Sequence, residues 1–120
     1  MPHLDDTTKL IHMLEAAEKA VSFSAGRTRD DLDTDEQLGL ALVRLIEVLG
    51  EASARVTEPF RLSHPELPWQ AMRGARNRLI HGYFDVDYDV VWQIVSADLP
   101  VLIPKLRNME AYSQPITPAP

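Results

Sequence analysis

One short stretch of the sequence, "ARNRLIHGYFDVDYD" at positions 75–89, concentrates the side chains that could do chemistry. It contains a guanidinium, an amide, an imidazole and a phenol, from Arg76, Asn77, His81 and Tyr83. An imidazole moves protons at neutral pH, and a guanidinium can bind a phosphate and stabilise the charge that develops on it. These groups suit the cleavage of RNA through the ribose 2′-hydroxyl, which needs no metal ion when an imidazole moves the proton.

The spacing of these residues predicts that they lie close together if the stretch is helical. At 3.6 residues per turn, Asn77 and His81 share one face of the helix. Arg76 and Tyr83 nearly eclipse each other on an adjacent face. Arg76 and His81 would be roughly 7.5 Å apart along the axis, a gap that a guanidinium stem can close. Gly82 can end the helix and let His81 and Tyr83 point out of the bundle.

A purely structural interpretation of the same residues stays open on spacing alone. A histidine near a helix C-terminus stabilises the helix dipole, and arginines on a helix usually face solvent. The "DVDYD" segment also allows two interpretations. It begins like a calcium-binding loop, but Val90 replaces the required glycine and Ser96 replaces the bidentate glutamate. Capping of the next helix by these aspartates is therefore favoured.

Composition narrows the class of protein. A content of 45% hydrophobic and 25% charged residues is typical of a soluble globular domain, and the absence of cysteine excludes disulfides and thiolate chemistry. We see neither a membrane-length apolar run nor a signal-peptide pattern, so we expect a cytoplasmic protein. The net charge of −6 argues against non-specific coating of nucleic acid. A local cationic cleft remains compatible with it, and the densest basic patch is Arg73, Arg76 and Arg78.

Helical periodicity predicts the elements that must position these residues. A first helix is predicted over residues 8–23, and a polar loop begins at Gly26. Thr34 and Gln37 form a capping-box start for a second helix. The apolar stripe of that helix, from Leu38 to Val56, predicts a core face and allows a dimer seam.

Prolines and aspartates mark the remaining boundaries. Pro59 and the prolines after it should interrupt helical structure. Pro68 should be the first residue of a third helix over residues 68–84. A fourth helix, beginning "VVWQIV", should be capped by the aspartates before it, which are Asp85, Asp87 and Asp89. We expect a kink or break at Pro100 and Pro104.

The pattern as a whole indicates an all-α fold, an up-and-down bundle of four to five helices. We see no strand alternation, internal repeat or glycine-rich phosphate loop. The length of 120 residues allows a single domain, which we place at residues 1–112. The proline-rich segment 113–120 is predicted to be a disordered tail.

The segment "RNRLIHGY" resembles the R-x(4–6)-H signature of HEPN-superfamily ribonucleases, in the R-x4-H-x-Y form typical of HepT-like toxins. The resemblance extends over most of residues 34–106 and includes the upstream "GEA" and "PELPW". It implies a HEPN-like homodimer in which two such motifs face a shared RNA-binding cleft. It also implies a partner, an antitoxin that is a minimal (MNT-type) nucleotidyltransferase.

The resemblance implies a role for each motif residue. Arg76 and His81 would be catalytic, and Asn77 would be the polar residue that follows the arginine. Tyr83 would be the motif tyrosine, which the antitoxin modifies with AMP. From the basic patch, Arg73 and Arg78 would support RNA binding. No cofactor and no metal ion are expected.

Two hypotheses from different classes follow. In the first, the protein is a metal-independent endoribonuclease toxin of a type VII (HEPN/MNT) toxin–antitoxin system that cleaves tRNA or mRNA. In the second, it is a non-catalytic dimeric helical module that binds its nucleotidyltransferase partner. The presence of that partner would fit both hypotheses, whereas toxicity that disappears in His81→Ala would distinguish them.

Overall fold

The computed structural model describes residues 5–82 and 84–113, with side chains up to Met109. Two long helices are α1 (Asp6–Ser24) and α3 (Glu36–Arg55), joined through the short α2 (Asp31–Thr34). A third long helical run consists of α7 (Tyr88–Gln93), a π-helical turn (Ile94–Asp98) and α8 (Leu99–Ser113). Between α3 and α7 lie short elements: α4 (Glu58–Ser63), α5 (Trp69–Arg73), α6 (Ala75–Leu79), β1 (Ile80–His81) and β2 (Asp85–Val86).

The core lies where α1 packs against α3 and α8. Side chains spaced three or four residues apart meet there and are almost inaccessible to solvent, among them Leu10, Met13, Leu42, Ile46 and Leu106. The short helices α5 and α6 pack on α3. The predicted all-α architecture is therefore confirmed. No helix in the described ranges is long and apolar enough to span a membrane.

The start of α3 differs from the predicted capping box. Its N-cap is Asp35, whose carboxylate accepts the backbone N–H of Leu38 at 3.1 Å, while Thr34 is the last residue of α2. The Arg27 guanidinium donates to Asp35 at 2.8 Å and to Asp31 at 3.3 Å. Arg27 thus links α2 to the start of α3. The loop predicted from Gly26 contains a helical turn, which is α2.

We expect the Asp35 cap to make stability depend on pH. The hydrogen bond from Arg27, and then the one from the Leu38 N–H, lower the pKa of Asp35 below its ordinary 3.8. A carboxyl whose pKa is lower in the folded state stabilises the protein above its unfolded pKa, and that stabilisation disappears as the pH falls through the folded pKa. Asp35→Ala should therefore lower the melting temperature at pH 7, and the difference from wild type should shrink at pH 3. Thermal unfolding followed by circular dichroism measures both.

Asp30→Ala is the matched control, because Asp30 precedes α2 without a side-chain capping bond. An Asp35→Ala variant whose deficit is as large at pH 3 as at pH 7 would contradict the assignment of the charged cap.

The predicted third helix, residues 68–84, is wrong in two respects, because it is divided at Gly74 and it ends at Leu79. Pro68 is the N-cap, α5 ends before Gly74, and α6 ends at Leu79. The chain then turns into an antiparallel hairpin in which Ile80 pairs with Val86. The Leu79 carbonyl accepts the N–H of Asp87 at 2.7 Å, so the hairpin takes up the backbone groups that a continuing helix would use. The absence of strands predicted from the sequence is therefore also corrected.

The sequence predicts a kink or a break at Pro100 and Pro104, and the helix does not break at either residue. Both Pro100 and Pro104 lie within α8, and the irregularity is the π-helical turn just before Pro100. A proline ring clashes with the carbonyl four residues earlier, here that of Ser96, and the wider π turn contains this residue. A helix also forms at Pro59, which occupies an early position of α4, where a missing N–H is tolerated.

The remaining boundary predictions have mixed outcomes. Asp87 caps α7 by accepting the N–H groups of Asp89 and Val90, as predicted, whereas Asp85 belongs to β2. The proposed tail at 113–120 begins at a residue that ends α8, and residues 114–120 lie outside the described part of the chain.

Candidate active site

The candidate catalytic residues lie on two adjoining elements, α6 and the first strand of the β-hairpin. Arg76 and Asn77 are exposed residues of α6, and His81 is the last residue of β1. His81 is therefore on a strand and not on the helix that carries Arg76. The predicted helical face shared by Asn77 and His81 does not exist, because α6 ends at Leu79.

Arg76 is held by Glu47, which was not among the predicted site residues. Its Nε donates to Oε2 of Glu47 on α3 at 3.2 Å, and the two side chains are 55% and 29% exposed. Within the described residues this is the one ion pair of the guanidinium, so its two terminal nitrogens can still bind a ligand. The two residues are 29 positions apart. No local sequence pattern therefore indicated Glu47.

His81 faces a carboxylate that also caps a helix. Its Nε2 lies 3.8 Å from Oδ2 of Asp87, an ion-pair separation that exceeds hydrogen-bond length. The other oxygen of Asp87 accepts the N–H groups of Asp89 and Val90 at 3.1 and 3.3 Å, which fixes the carboxylate beside the ring. The imidazole is 63% exposed, so a substrate can reach it.

Arg76 and Arg78, two residues of the predicted basic patch, pair with carboxylates on different parts of the fold. Arg78 Nη1 lies 3.8 Å from Oδ2 of Asp98, in the π-helical turn, whereas Arg76 is bound to Glu47 on α3. Residues two positions apart on a helix point in nearly opposite directions, which explains the divergence. Arg78 lines a mainly apolar cleft of about 440 Å³, together with Met72 and other residues of α5, α7 and α8. Arg73 lines a different groove.

The remaining predictions for this region concern Tyr83 and metal binding. Tyr83 lies outside the described residues, between Gly82, which has a φ of +74°, and Phe84. The helical projection that placed its phenol beside Arg76 no longer applies, since the helix ends before it. In the described part of the chain, no three histidine, aspartate or glutamate side chains form a group that could hold a metal ion.

Comparison with known proteins identifies the family. The family model described as "Ribonuclease HepT-like" matches residues 13–109, a range that includes α6 and the hairpin. The protein named "Probable ribonuclease HepT" of Thermococcus cleftensis is 34% identical over 107 residues, covering 89% of this chain and 92% of that protein. A protein of Methanocaldococcus jannaschii named as a candidate RNase is 36% identical over 91 residues, covering 76% and 84%. No solved structure matches the chain. The resemblance seen in the sequence is confirmed, and the chain belongs to the ribonuclease HepT-like family.

Proposed function

We propose that this protein is a metal-independent endoribonuclease, the toxin of a type VII (HEPN/MNT) toxin–antitoxin system acting on tRNA or mRNA in the cytoplasm. One observation carries the proposal: Arg76 on α6 and His81 on the adjoining β1 are both exposed, in a chain of the HepT-like family. The relatives named above carry the word ribonuclease or RNase in their names.

The chemistry follows from the two side chains. Arg76 is anchored through Nε, so its terminal nitrogens can bind the scissile phosphate and stabilise the charge of the transition state. The ribose 2′-oxygen forms a bond to phosphorus while the bond from phosphorus to the 5′-oxygen breaks. His81 moves the proton that leaves the 2′-hydroxyl or reaches the departing oxygen. The products would be a 2′,3′-cyclic phosphate and a 5′-hydroxyl.

Incubation of the pure protein with total RNA in the presence of EDTA tests this function. Cleavage should persist, the new ends should be 2′,3′-cyclic phosphates, and DNA should stay intact because it lacks the 2′-hydroxyl. Loss of cleavage in EDTA that magnesium restores would exclude the mechanism. A protein that binds a nucleotidyltransferase but never cuts RNA would instead be the non-catalytic module.

The proposal includes a two-fold homodimer, since a single chain carries one motif on a short connection. Most of the apolar stripe of α3, which could have formed a dimer seam, is buried in the core of this chain, as Leu42 and Leu49 show. Phe84, beside the motif, is 74% exposed and offers apolar surface that a second protomer can cover. Light scattering at micromolar concentration should give twice the chain mass of 13.5 kDa. A monomer at that concentration would contradict the dimer.

The proposal also includes regulation by a partner protein that modifies Tyr83. A cognate nucleotidyltransferase, with ATP and magnesium, would transfer AMP to the Tyr83 hydroxyl and release pyrophosphate. The added phosphate would place an anion two residues from His81 in the chain and so compete with the substrate phosphate. Intact-mass spectrometry should show AMP increments on wild type and none on Tyr83→Phe. A Phe variant that is still modified and silenced would rule out Tyr83 as the target.

A further inference from the structure

An open groove of about 700 Å³ lies along α5 and the end of α4. Its lining includes two arginines and several neutral side chains: Arg61, Leu62, Pro65, Trp69, Gln70 and Arg73. None of the described residues that line it is a carboxylate. We call this surface the Arg61–Arg73 groove.

The two arginines of the groove differ from most others in the described structure. Neither Arg61 nor Arg73 forms an ion pair within the described residues. Six other arginines do, each with an aspartate or glutamate: Arg27, Arg29, Arg55, Arg76, Arg78 and Arg107. In a chain with a net charge of −6, the groove therefore holds two positive charges that form no ion pair in the described structure.

Local contacts hold the groove in shape. A terminal nitrogen of Arg61 donates to the Val56 carbonyl, which positions the guanidinium and leaves its other N–H groups available. The Trp69 indole N–H donates to the His64 carbonyl at 2.8 Å and fixes the buried ring of the groove wall. Leu62 is 72% exposed and presents an apolar surface against which a base can lie.

The groove reaches the start of α6, the helix that carries Arg76. Gly74, which also lines the groove, is the N-cap of α6, and Arg76 is the second residue of that helix. Two helical residues correspond to about 3 Å along the axis, so the end of the groove is close to the backbone of Arg76. A strand whose scissile phosphate binds Arg76 could therefore pass its neighbouring phosphates into this groove, which Arg73 and Arg61 line.

We propose that the Arg61–Arg73 groove binds the backbone phosphates of single-stranded RNA beside the scissile bond. This inference rests on the proposed ribonuclease function and adds the path of the substrate. Single-stranded RNA is recognised by cationic grooves that follow the backbone, and the two arginines make this groove cationic.

The salt dependence of RNA binding tests the groove. The His81→Ala protein serves as the background, so that a fluorescein-labelled single-stranded RNA is not cut during fluorescence-anisotropy titrations at several salt concentrations. Each of Arg61→Gln and Arg73→Gln should weaken binding and reduce the slope of log K against log salt by about 0.7, and the double variant by about 1.4. Arg107→Gln, on α8, removes the same charge away from the groove and should leave the slope unchanged.

Each outcome decides one question. Equal slopes for the groove variants and for Arg107→Gln would show that the groove does not bind RNA phosphates. An absence of RNA binding in the background protein would contradict the proposal as well. Light scattering on the double variant adds a further criterion, since a loss of dimer with an unchanged slope would make the groove a contact between copies. Reduced slopes in a protein that never cleaves RNA would support RNA binding by the groove and contradict the ribonuclease function.

Discussion

Replacing His81 with alanine should reduce RNA cleavage by about 10²- to 10⁴-fold, the usual contribution of a general acid or base. The imidazole is 63% exposed, so its removal leaves no buried cavity and the melting temperature should stay close to that of wild type. Asp87 keeps its two capping hydrogen bonds in the variant, since these use the oxygen that does not face the ring. Single-turnover cleavage of a defined RNA, with thermal unfolding in parallel, measures both quantities.

His12→Ala provides the matched control for this loss. His12 is an exposed histidine of α1, far in sequence from the hairpin, and its replacement should leave cleavage at the wild-type rate. If His81→Ala cleaves as fast as His12→Ala, the imidazole takes no part in the reaction. A variant that loses activity and also unfolds at a much lower temperature would point to a structural role instead.

Replacing Arg76 with alanine should cost about 10²- to 10³-fold in the rate of cleavage, the size expected when a donor that stabilises transition-state charge is removed. Arg76→Lys should restore little of it. A lysine has one nitrogen centre, so it cannot keep the 3.2 Å contact with Glu47 and also present two terminal nitrogens to a phosphate. The same single-turnover assay compares the two variants, and a fully active lysine variant would show that positive charge alone is sufficient.

The ion pair with Glu47 extends this prediction to a positioning residue. Glu47→Ala should release the Arg76 guanidinium, broaden or shift its Nε–H signal in NMR spectra, and reduce the cleavage rate by less than Arg76→Ala does. Glu47→Gln keeps an oxygen that accepts the Nε–H and should restore part of both. Glu51→Ala is the control, because Glu51 lies on the same helix and pairs with Arg55. Identical NMR spectra and rates for the two alanine variants would show that Glu47 does not position Arg76.

The sequence by itself determined the long helices and the identity of the candidate site. Apolar side chains at steps of three and four residues predicted α1 and α3 to within a few residues, and Leu42 and Leu49 of the predicted stripe are buried. Such periodicity is informative because one face of each helix must be removed from water. The "RNRLIHGY" segment indicated the family, since that resemblance depends on residue types and spacing and not on the backbone that carries them.

Only the tertiary structure decided how the site is built. Helical propensity favoured a continuous helix through His81, but the bond from the Asp87 N–H to the Leu79 carbonyl and the Ile80–Val86 pairing turn the chain into a hairpin. Arg76 likewise takes its partner from α3, 29 residues away in sequence. Both outcomes depend on contacts between segments that local spacing does not encode. The packing of α6 on α3 places Glu47 beside Arg76, and the backbone bonds of the hairpin place His81 beside Asp87.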